Sequence, residues 1–231
     1  MNRRRDLRGI ASTESATICV RGLLFDMDGV LISSTAADER TWLRWARFHG
    51  MEGSFSLRAT HGRRSIDTLR LLRPDLDLAS EVLRIEAFDA EDQGGVVSLP
   101  GVERLIRSLP ANSWAVVTSA SEAIMRRRLE AAGIAPPPHF ISGDRVTHGK
   151  PNPEAYVLGA ELLGFSPSEC MVVEDAPPGI EAGKAAGCPV LATLSSHGAD
   201  ELAEADWIVP SLEQVFASLG QDARIAIHLD L

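Results

Sequence analysis

Short apolar runs recur along the chain, and each ends in polar or turn-forming residues: "ICVRGLLFDMD", "SWAVVTSA", "HFISG", "CMVVEDA", "CPVLATL" and "ADWIVPS". Runs that are apolar at nearly every position, rather than at alternate ones, suit strands buried on both faces. Between them the apolar residues take helical spacing. "SEAIMRRRLEAAG" predicts a helix with Ser121 as N-cap and Gly133 as its stop. "NPEAYVLGAELLG" predicts one capped by Asn152, with Pro153 in the first helical position and Gly164 as its stop, and "PPGIEAGKAAG" a third, shorter helix. Strands alternating with helices predict an α/β protein with a parallel sheet covered on both faces.

Residues 33–97 break the alternation. "DERTWLRWARFHG", "SIDTLRLLRPDL" and "LASEVLRIEAFDAEDQGG" have helical spacing, Pro74 separates the last two, and no strand is predicted among them. The pattern divides the chain into a core of residues 18–32 and 98–231 and a helical insertion of 33–97. Trp42, Trp45 and Phe48 are expected to pack inside the insertion. Residues 1–17, polar and arginine-rich, are expected to form a disordered tail. The closing stretch "ARIAIHLDL" alternates and is expected to be an edge strand.

Composition narrows the classes of function. The 231 residues are 45% hydrophobic and 24% charged, enough for one sizeable core with an insertion. A net charge of −9 opposes binding to a polyanion, so no nucleic-acid partner is expected, although a local site can still be positive. No apolar stretch approaches the roughly 20 residues of a membrane span, and the first residues lack the apolar segment of a secretory signal. Cys19, Cys170 and Cys188 lie in or beside apolar runs without CxxC spacing and are expected to be reduced core residues. The expectation is a cytoplasmic protein with no membrane partner, monomeric or a weak homo-oligomer.

In parallel sheets, ligands bind outside the C-terminal ends of the strands. Asp26 and Asp28, Thr118 and Ser119, and Glu174 and Asp175 all follow apolar runs, so the sheet would bring them to one edge. Carboxylates gathered there repel one another. A hard divalent cation relieves that repulsion, and oxygen ligands suit Mg²⁺, with Asp26 and Asp175 as ligands and Glu174 close by. The hydroxyls of Thr118 and Ser119, with the N–H groups of the turn after them, suit a phosphate. Lys150 in "THGKPNPE" adds a positive charge, in a loop kept extended by Pro151. With charge neutralised, Asp26 could attack phosphorus and form an aspartyl-phosphate. Asp28 could protonate the leaving oxygen and then deprotonate the attacking water.

"DMDGVL", "VVTSA", "GKPNPE" and "VVEDAPPGIEAGKAAG" resemble, in order and spacing, the four motifs of the haloacid dehalogenase (HAD) superfamily, over residues 20 to 212. The resemblance implies a Rossmann-like three-layer core with an inserted all-helical cap domain. It implies Asp26 as nucleophile, Asp28 as general acid/base, Thr118 or Ser119 on the phosphoryl oxygens, and Lys150 bridging nucleophile and phosphate. It further implies Mg²⁺ held by Asp26, the backbone carbonyl of Asp28 and Asp175, with Glu174 acting through water.

Longer stretches, among them "TWLRWARFHG" and "HGRRSIDTLRLL", resemble the sugar-phosphate phosphatases and the related glycerol-phosphate and 2-deoxyglucose-phosphate phosphatases. That implies a phosphoric monoester hydrolase acting on small phosphorylated sugars or polyols, with His61, Arg63 and Glu86 of the cap contacting the organic part of the substrate. A phosphomutase of the beta-phosphoglucomutase type, using the same aspartyl chemistry, is the alternative. A dehalogenase is disfavoured because carbon–halogen displacement gives Asp28 no proton to deliver. A non-catalytic binding protein is disfavoured by the complete residue set. Cap hinges are expected near Leu31–Ser34 and Ser98–Gly101. Two positions depart from the resemblance: Ser33, where the branch usually has Asp, and Ala120, where Gly is common.

Overall fold

The computed structural model describes residues 15–51, 55, 60–220, 222 and 224–231. In chain order the elements are β1 (Ser15–Val20), β2 (Gly22–Phe25), β3 (Ile32–Ser33), α1 (Thr35–Phe48), α2 (Ser65–Leu72), α3 (Leu78–Glu91), β4 (Val97–Ser98), α4 (Val102–Ser108), β5 (Trp114–Val117), α5 (Glu122–Ala131), β6 (Phe140–Ile141), α6 (Glu154–Leu162), β7 (Cys170–Glu174), α7 (Pro177–Ala186), β8 (Val190–Thr193), β9 (Trp207–Val209), β10 (Val215–Leu219) and β11 (Ile225–Asp230). Six strands form a parallel sheet in the order β6-β5-β2-β7-β8-β9.

The continuous apolar runs are explained by packing on both sides of this sheet. Side chains alternate between its faces. Leu23, Phe25, Val116, Met171 and Val173 join Leu105 of α4 with Met125 and Leu129 of α5. Leu24, Val117, Val172 and Val190 join Tyr156 and Ala160 of α6 and Ile180 of α7 on the other face. This is the expected Rossmann-like α/β core. Ser121 accepts the Ile124 N–H at 3.4 Å and starts α5 as predicted. The start of α6 is one residue later than predicted: Pro153 stands at the N-cap, and the Asn152 side chain accepts the Glu154 N–H at 3.0 Å from just outside the helix.

The run "ICVRGLLF" is two strands rather than one. Exposed Arg21 separates β1 from β2. β1 joins a second, antiparallel sheet in the order β1-β11-β10. The expected edge strand at the C-terminus is therefore the central strand of its sheet. Its alternation buries Ile225, Ile227 and Leu229 against the main core and turns the intervening side chains outward. The same alternation along β1 leaves Cys19 exposed, whereas Cys170 and Cys188 are buried as expected. Residues 15–17, expected in the tail, belong to β1, and the rest of that tail lies outside the described residues. No helix among the described residues is long and apolar enough to cross a membrane.

Between β3 and β4 the chain forms α1, α2 and α3, whose own apolar cluster holds Trp42, Trp45, Leu69 and Ile85. Buried Glu81 accepts the Trp45 Nε1–H at 2.8 Å and also meets His49 Nε2 at 2.8 Å, so the carboxylate is paired inside the cluster. Phe48 lies only at the margin of this packing: it is 58% exposed, meets Phe88 edge-on at 6.5 Å, and has the Arg84 guanidinium 4.1 Å above its ring. The two crossings between helices and core, β3 and β4, pair antiparallel (Ile32 with Ser98, Ser33 with Val97), so residues expected to lack strands begin and end in a short ribbon.

Candidate active site

The C-terminal ends of β2, β5 and β7 lie side by side because these strands are parallel neighbours. β2 delivers Asp26 and Asp28, β5 delivers Thr118 and Ser119, and β7 delivers Glu174 and Asp175. Backbone shape keeps the carboxylates close. Gly29 has φ +81°, and a Cβ there would lie 1.8 Å from Asp175 Oδ2. A Cβ on Gly179, in the first turn of α7, would lie 1.7 Å from Glu174 Oε1. Both positions need the absence of a side chain.

Lys150 is 3% exposed and lies beneath these carboxylates. Its Nζ donates to Asp26 Oδ1 at 2.6 Å, to Glu174 Oε1 at 2.7 Å and to the Val117 carbonyl at 3.2 Å. Glu174 is tied on every side: Oε1 also accepts from the Tyr156 hydroxyl at 2.8 Å, and Oε2 accepts the N–H groups of Asp175 and Ala176 at 2.9 and 3.1 Å. Among the described residues, Asp26 Oδ2 has no protein hydrogen-bond partner.

Electrostatics mark the same cluster. Ligand atoms of Asp26, Glu174 and Asp175 lie within 4.8 Å of one another, and the Lys150 ammonium pairs with two of these three carboxylates. Burial raises the Asp26 carboxyl to about 7 against the attraction of Lys150, and neighbouring Glu174 and Asp28 add to the rise. Burial, then Glu174 and Asp26, drive Asp175 well above the carboxylate range. Burial opposes charge on Lys150, but Asp26 and Glu174 overcome it and hold Lys150 above the usual lysine range. An all-oxygen, buried, net-negative donor set fits a hard divalent cation.

A pH dependence follows. The folded-state pKa of Asp26 is raised above its unfolded value of 3.8, so the folded protein holds more protons at intermediate pH. Stability of the metal-free protein is therefore expected to fall as pH rises between about 4 and 7. Saturating Mg²⁺ is expected to raise the thermal midpoint and flatten that slope, because the cation favours the ionised carboxylates. Thermal melts with EDTA and with Mg²⁺ across this range check it; a slope unchanged by Mg²⁺ would show that the cluster does not take the ion.

A cleft opens over the strand ends, lined by Asp26, Asp28, Asp175, Thr118 and Ser119 and, from the insertion, by Asp38, Trp42, Thr60, His61, Arg63 and Ile85. Thr118 Oγ1 accepts the Ala120 N–H at 3.1 Å, and Ser119 Oγ donates to the Gly62 carbonyl at 2.9 Å. His61 and Arg63 thus reach the same cleft as the carboxylates. The His61 ring stands edge-on to His197 at 5.8 Å, and its Nε2 is buried without a hydrogen-bond partner. Glu86 is not brought there. It lines an adjoining crevice with Ile66, Val82 and Ser121, whose wall shares Ser65, Ser119 and Ile124 with the cleft, because its position on α3 faces the start of α5.

Several residues at the site went unnoticed in the sequence. Ser34 donates to Asp28 Oδ1, and Ser196 donates to Asp175 Oδ2. Arg128 of α5 is 3% exposed and donates to Asp28 Oδ1 at 2.8 Å. A signal for Arg128 was present in "IMRRRLE": it lies four residues after Ile124 and three after Met125, on the apolar face of the helix, where an arginine needs partners.

Comparison with known proteins agrees with this geometry. A family model described as haloacid dehalogenase-like hydrolase matches residues 20–187. The chain is 42% identical over 213 residues to hexitol phosphatase A of Escherichia coli, covering 90% of this chain and 99% of that one. It is 34% identical over 231 residues to 2-deoxyglucose-6-phosphate phosphatase 2 of Saccharomyces cerevisiae, covering 90% and 94%. In fold it is similar to the crystal structure of a beta-phosphoglucomutase from Clostridium difficile, with a TM-score of 0.73 at 18% identity, covering 84% and 92%.

Proposed function

The chain belongs to the haloacid dehalogenase-like hydrolase family, and from that premise we propose that it is a Mg²⁺-dependent phosphatase of small phosphorylated polyols and sugars, working through an aspartyl-phosphate. The observation that carries the reading is buried Asp26: one carboxylate oxygen is held by Lys150, and the other is free of protein partners in the cleft beside Asp28. Similarity to a hexitol phosphatase and a sugar-phosphate phosphatase supports the substrate class.

In this reading the helices between β3 and β4 are a cap, seated on residues 18–32 and 98–231. Thr118 and Ser119 hold the phosphoryl oxygens, and the Lys150 charge lets them approach Asp26. Asp26 Oδ2 attacks phosphorus in line with the ester oxygen. Asp28 gives its proton to the departing alkoxide, which has a high pKa and leaves poorly without one. Water then attacks the aspartyl-phosphate after losing a proton to Asp28, which regenerates both carboxyl groups. Asp26, Asp175 and the Asp28 carbonyl would hold Mg²⁺, which supplies charge neutralisation of the phosphoryl oxygens. Glu174, with both oxygens already accepting, fixes Lys150 and would help hold the ion only through water. His61 and Arg63 are the cap contacts to the organic part of the substrate.

Phosphate release from hexitol, sugar and glycerol phosphates, measured with Mg²⁺ and with EDTA, tests the proposal. Release with Mg²⁺, favouring hexitol and hexose monophosphates, and loss of release in EDTA are expected. Conversion of a substrate to its phosphate isomer without free phosphate would replace the phosphatase with a mutase.

A further inference from the structure

Arg128 is the best-satisfied charged side chain of the cleft, and the residues that satisfy it come from three parts of the chain. Nη1 donates to Asp28 Oδ1 at 2.8 Å, in the loop after β2. Nη2 donates to Asp38 Oδ1 at 3.0 Å, on α1, and to Asp89 Oδ1 at 2.6 Å, on α3. Nε donates to the same Asp89 oxygen at 3.0 Å. Arg128 itself stands on α5, a helix of the core. One guanidinium therefore ties Asp28 to two helices of the insertion. Asp89 is fully buried and the Arg128 side chain is 4% exposed, so solvent does not screen the contact. Burial disfavours the Arg128 charge, but Asp28, Asp38 and Asp89 more than offset it.

Ser34 and Arg128 both take Asp28 Oδ1. Among the described residues Oδ2 has no protein partner, so it is the oxygen left to carry a proton to substrate. A carboxyl that rotates freely about Cβ–Cγ presents either oxygen; one with Oδ1 doubly held presents only the other. The planar guanidinium fork makes that hold directional, which a lysine ammonium does not.

We propose that Arg128 is a positioning residue for proton delivery: it holds Asp28 Oδ1 so that Oδ2 faces the leaving oxygen, and it does so only while Asp38 and Asp89 of the seated insertion hold the rest of its guanidinium. The inference rests on the phosphatase reading above. Its consequence is that seating the cap and aligning the acid are one event. An open cap leaves Arg128 without two of its three carboxylates and Asp28 without a fixed orientation. Protonation of the leaving group is then tied to a closed cleft, where stray water is excluded.

The test separates proton delivery from folding and from substrate binding. Wild type, Arg128→Met, Arg128→Lys and Asp89→Asn are assayed with Mg²⁺ on an alkyl phosphate (the best hexitol phosphate) and on p-nitrophenyl phosphate. The nitrophenolate leaves without needing a proton; the alkoxide does not. The quantity read is kcat/KM, which reports the first phosphoryl transfer and is insensitive to later hydrolysis of the common intermediate. Arg128→Met is expected to lower kcat/KM about 10²-fold on the alkyl phosphate and less than about 10-fold on the aryl phosphate, within the range that general acid catalysis supplies. Arg128→Lys and Asp89→Asn are expected to show the same asymmetry at smaller size, and they carry the test if Arg128→Met does not fold. Equal losses on both substrates in folded variants, or no loss in any variant, would overturn the proposal. A wild type inactive on both substrates would instead refute the phosphatase reading.

Discussion

Asp26→Asn is expected to abolish hydrolysis, lowering kcat by about 10⁴-fold or more, the scale at which removal of a nucleophile acts. The exchange keeps shape and removes only what chemistry requires. An amide oxygen in place of Oδ2 does not form an acyl-phosphate, and neighbouring Glu174 does not take its place: both its oxygens are engaged by Lys150, Tyr156 and two backbone N–H groups. Folding should survive the change. The buried carboxyl is costly to ionise, as its rise to about 7 records, and the neutral amide escapes that cost while Lys150 keeps Glu174 as its partner. Activity and thermal midpoint measured on the same preparation check both halves. A folded Asp26→Asn protein that retains a tenth of wild-type activity would mean direct attack by water and no aspartyl intermediate.

Lys150→Met is expected to damage both stability and activity. Its ammonium is buried between Asp26 and Glu174, so removal leaves two carboxylates facing each other with no positive charge. Breaking a buried pair from one side costs about 3–5 kcal/mol. In the proposed mechanism its charge helps the phosphoryl group approach Asp26, so its loss should lower kcat by about 10²–10³-fold. The two effects separate with Mg²⁺: the cation should restore part of the stability, because it supplies the missing positive charge, and little of the activity, because it does not hold Asp26 Oδ1 in place. Urea unfolding with and without Mg²⁺, beside the phosphate-release assay, reads both. Unchanged stability in the metal-free variant would show that Asp26 and Glu174 take up protons rather than stay charged.

Much of the site was legible because its residues lie where strands end. An apolar run of four or five residues closed by Asp, Thr or Glu announces both the strand and its C-terminal edge, and a parallel sheet then brings Asp26, Asp28, Thr118, Ser119, Glu174 and Asp175 together without further information. Lys150 was legible for a related reason, since several carboxylates at one edge require a cation. Helical periodicity set the insertion apart and placed Trp42 and Trp45 inside it. It placed Phe48 too deep: that residue shares their stretch of helix but lies at the margin of the cluster, edge-on to Phe88 and covered on one face by Arg84.

What the sequence determined by itself is therefore local: where strands and helices run, where each strand ends, and which side chains stand at those ends, all set by hydrophobic period and turn chemistry over a few residues. Tertiary structure decided the rest. Alternation in "ARIAIHLDL" is the same for an edge strand and a central one, and only pairing with both β1 and β10 made it central. The same pairing turned Cys19 outward. Glu86 sits on a helix of the insertion whose direction over the core no spacing records, and it came to rest in a crevice beside the cleft, sharing its Ser65, Ser119 and Ile124 wall. Arg128 finds its carboxylates 100, 90 and 39 residues away in sequence. A charge on an apolar helix face tells that partners exist; which partners, and so which chemistry, follows only once distant segments are packed against one another.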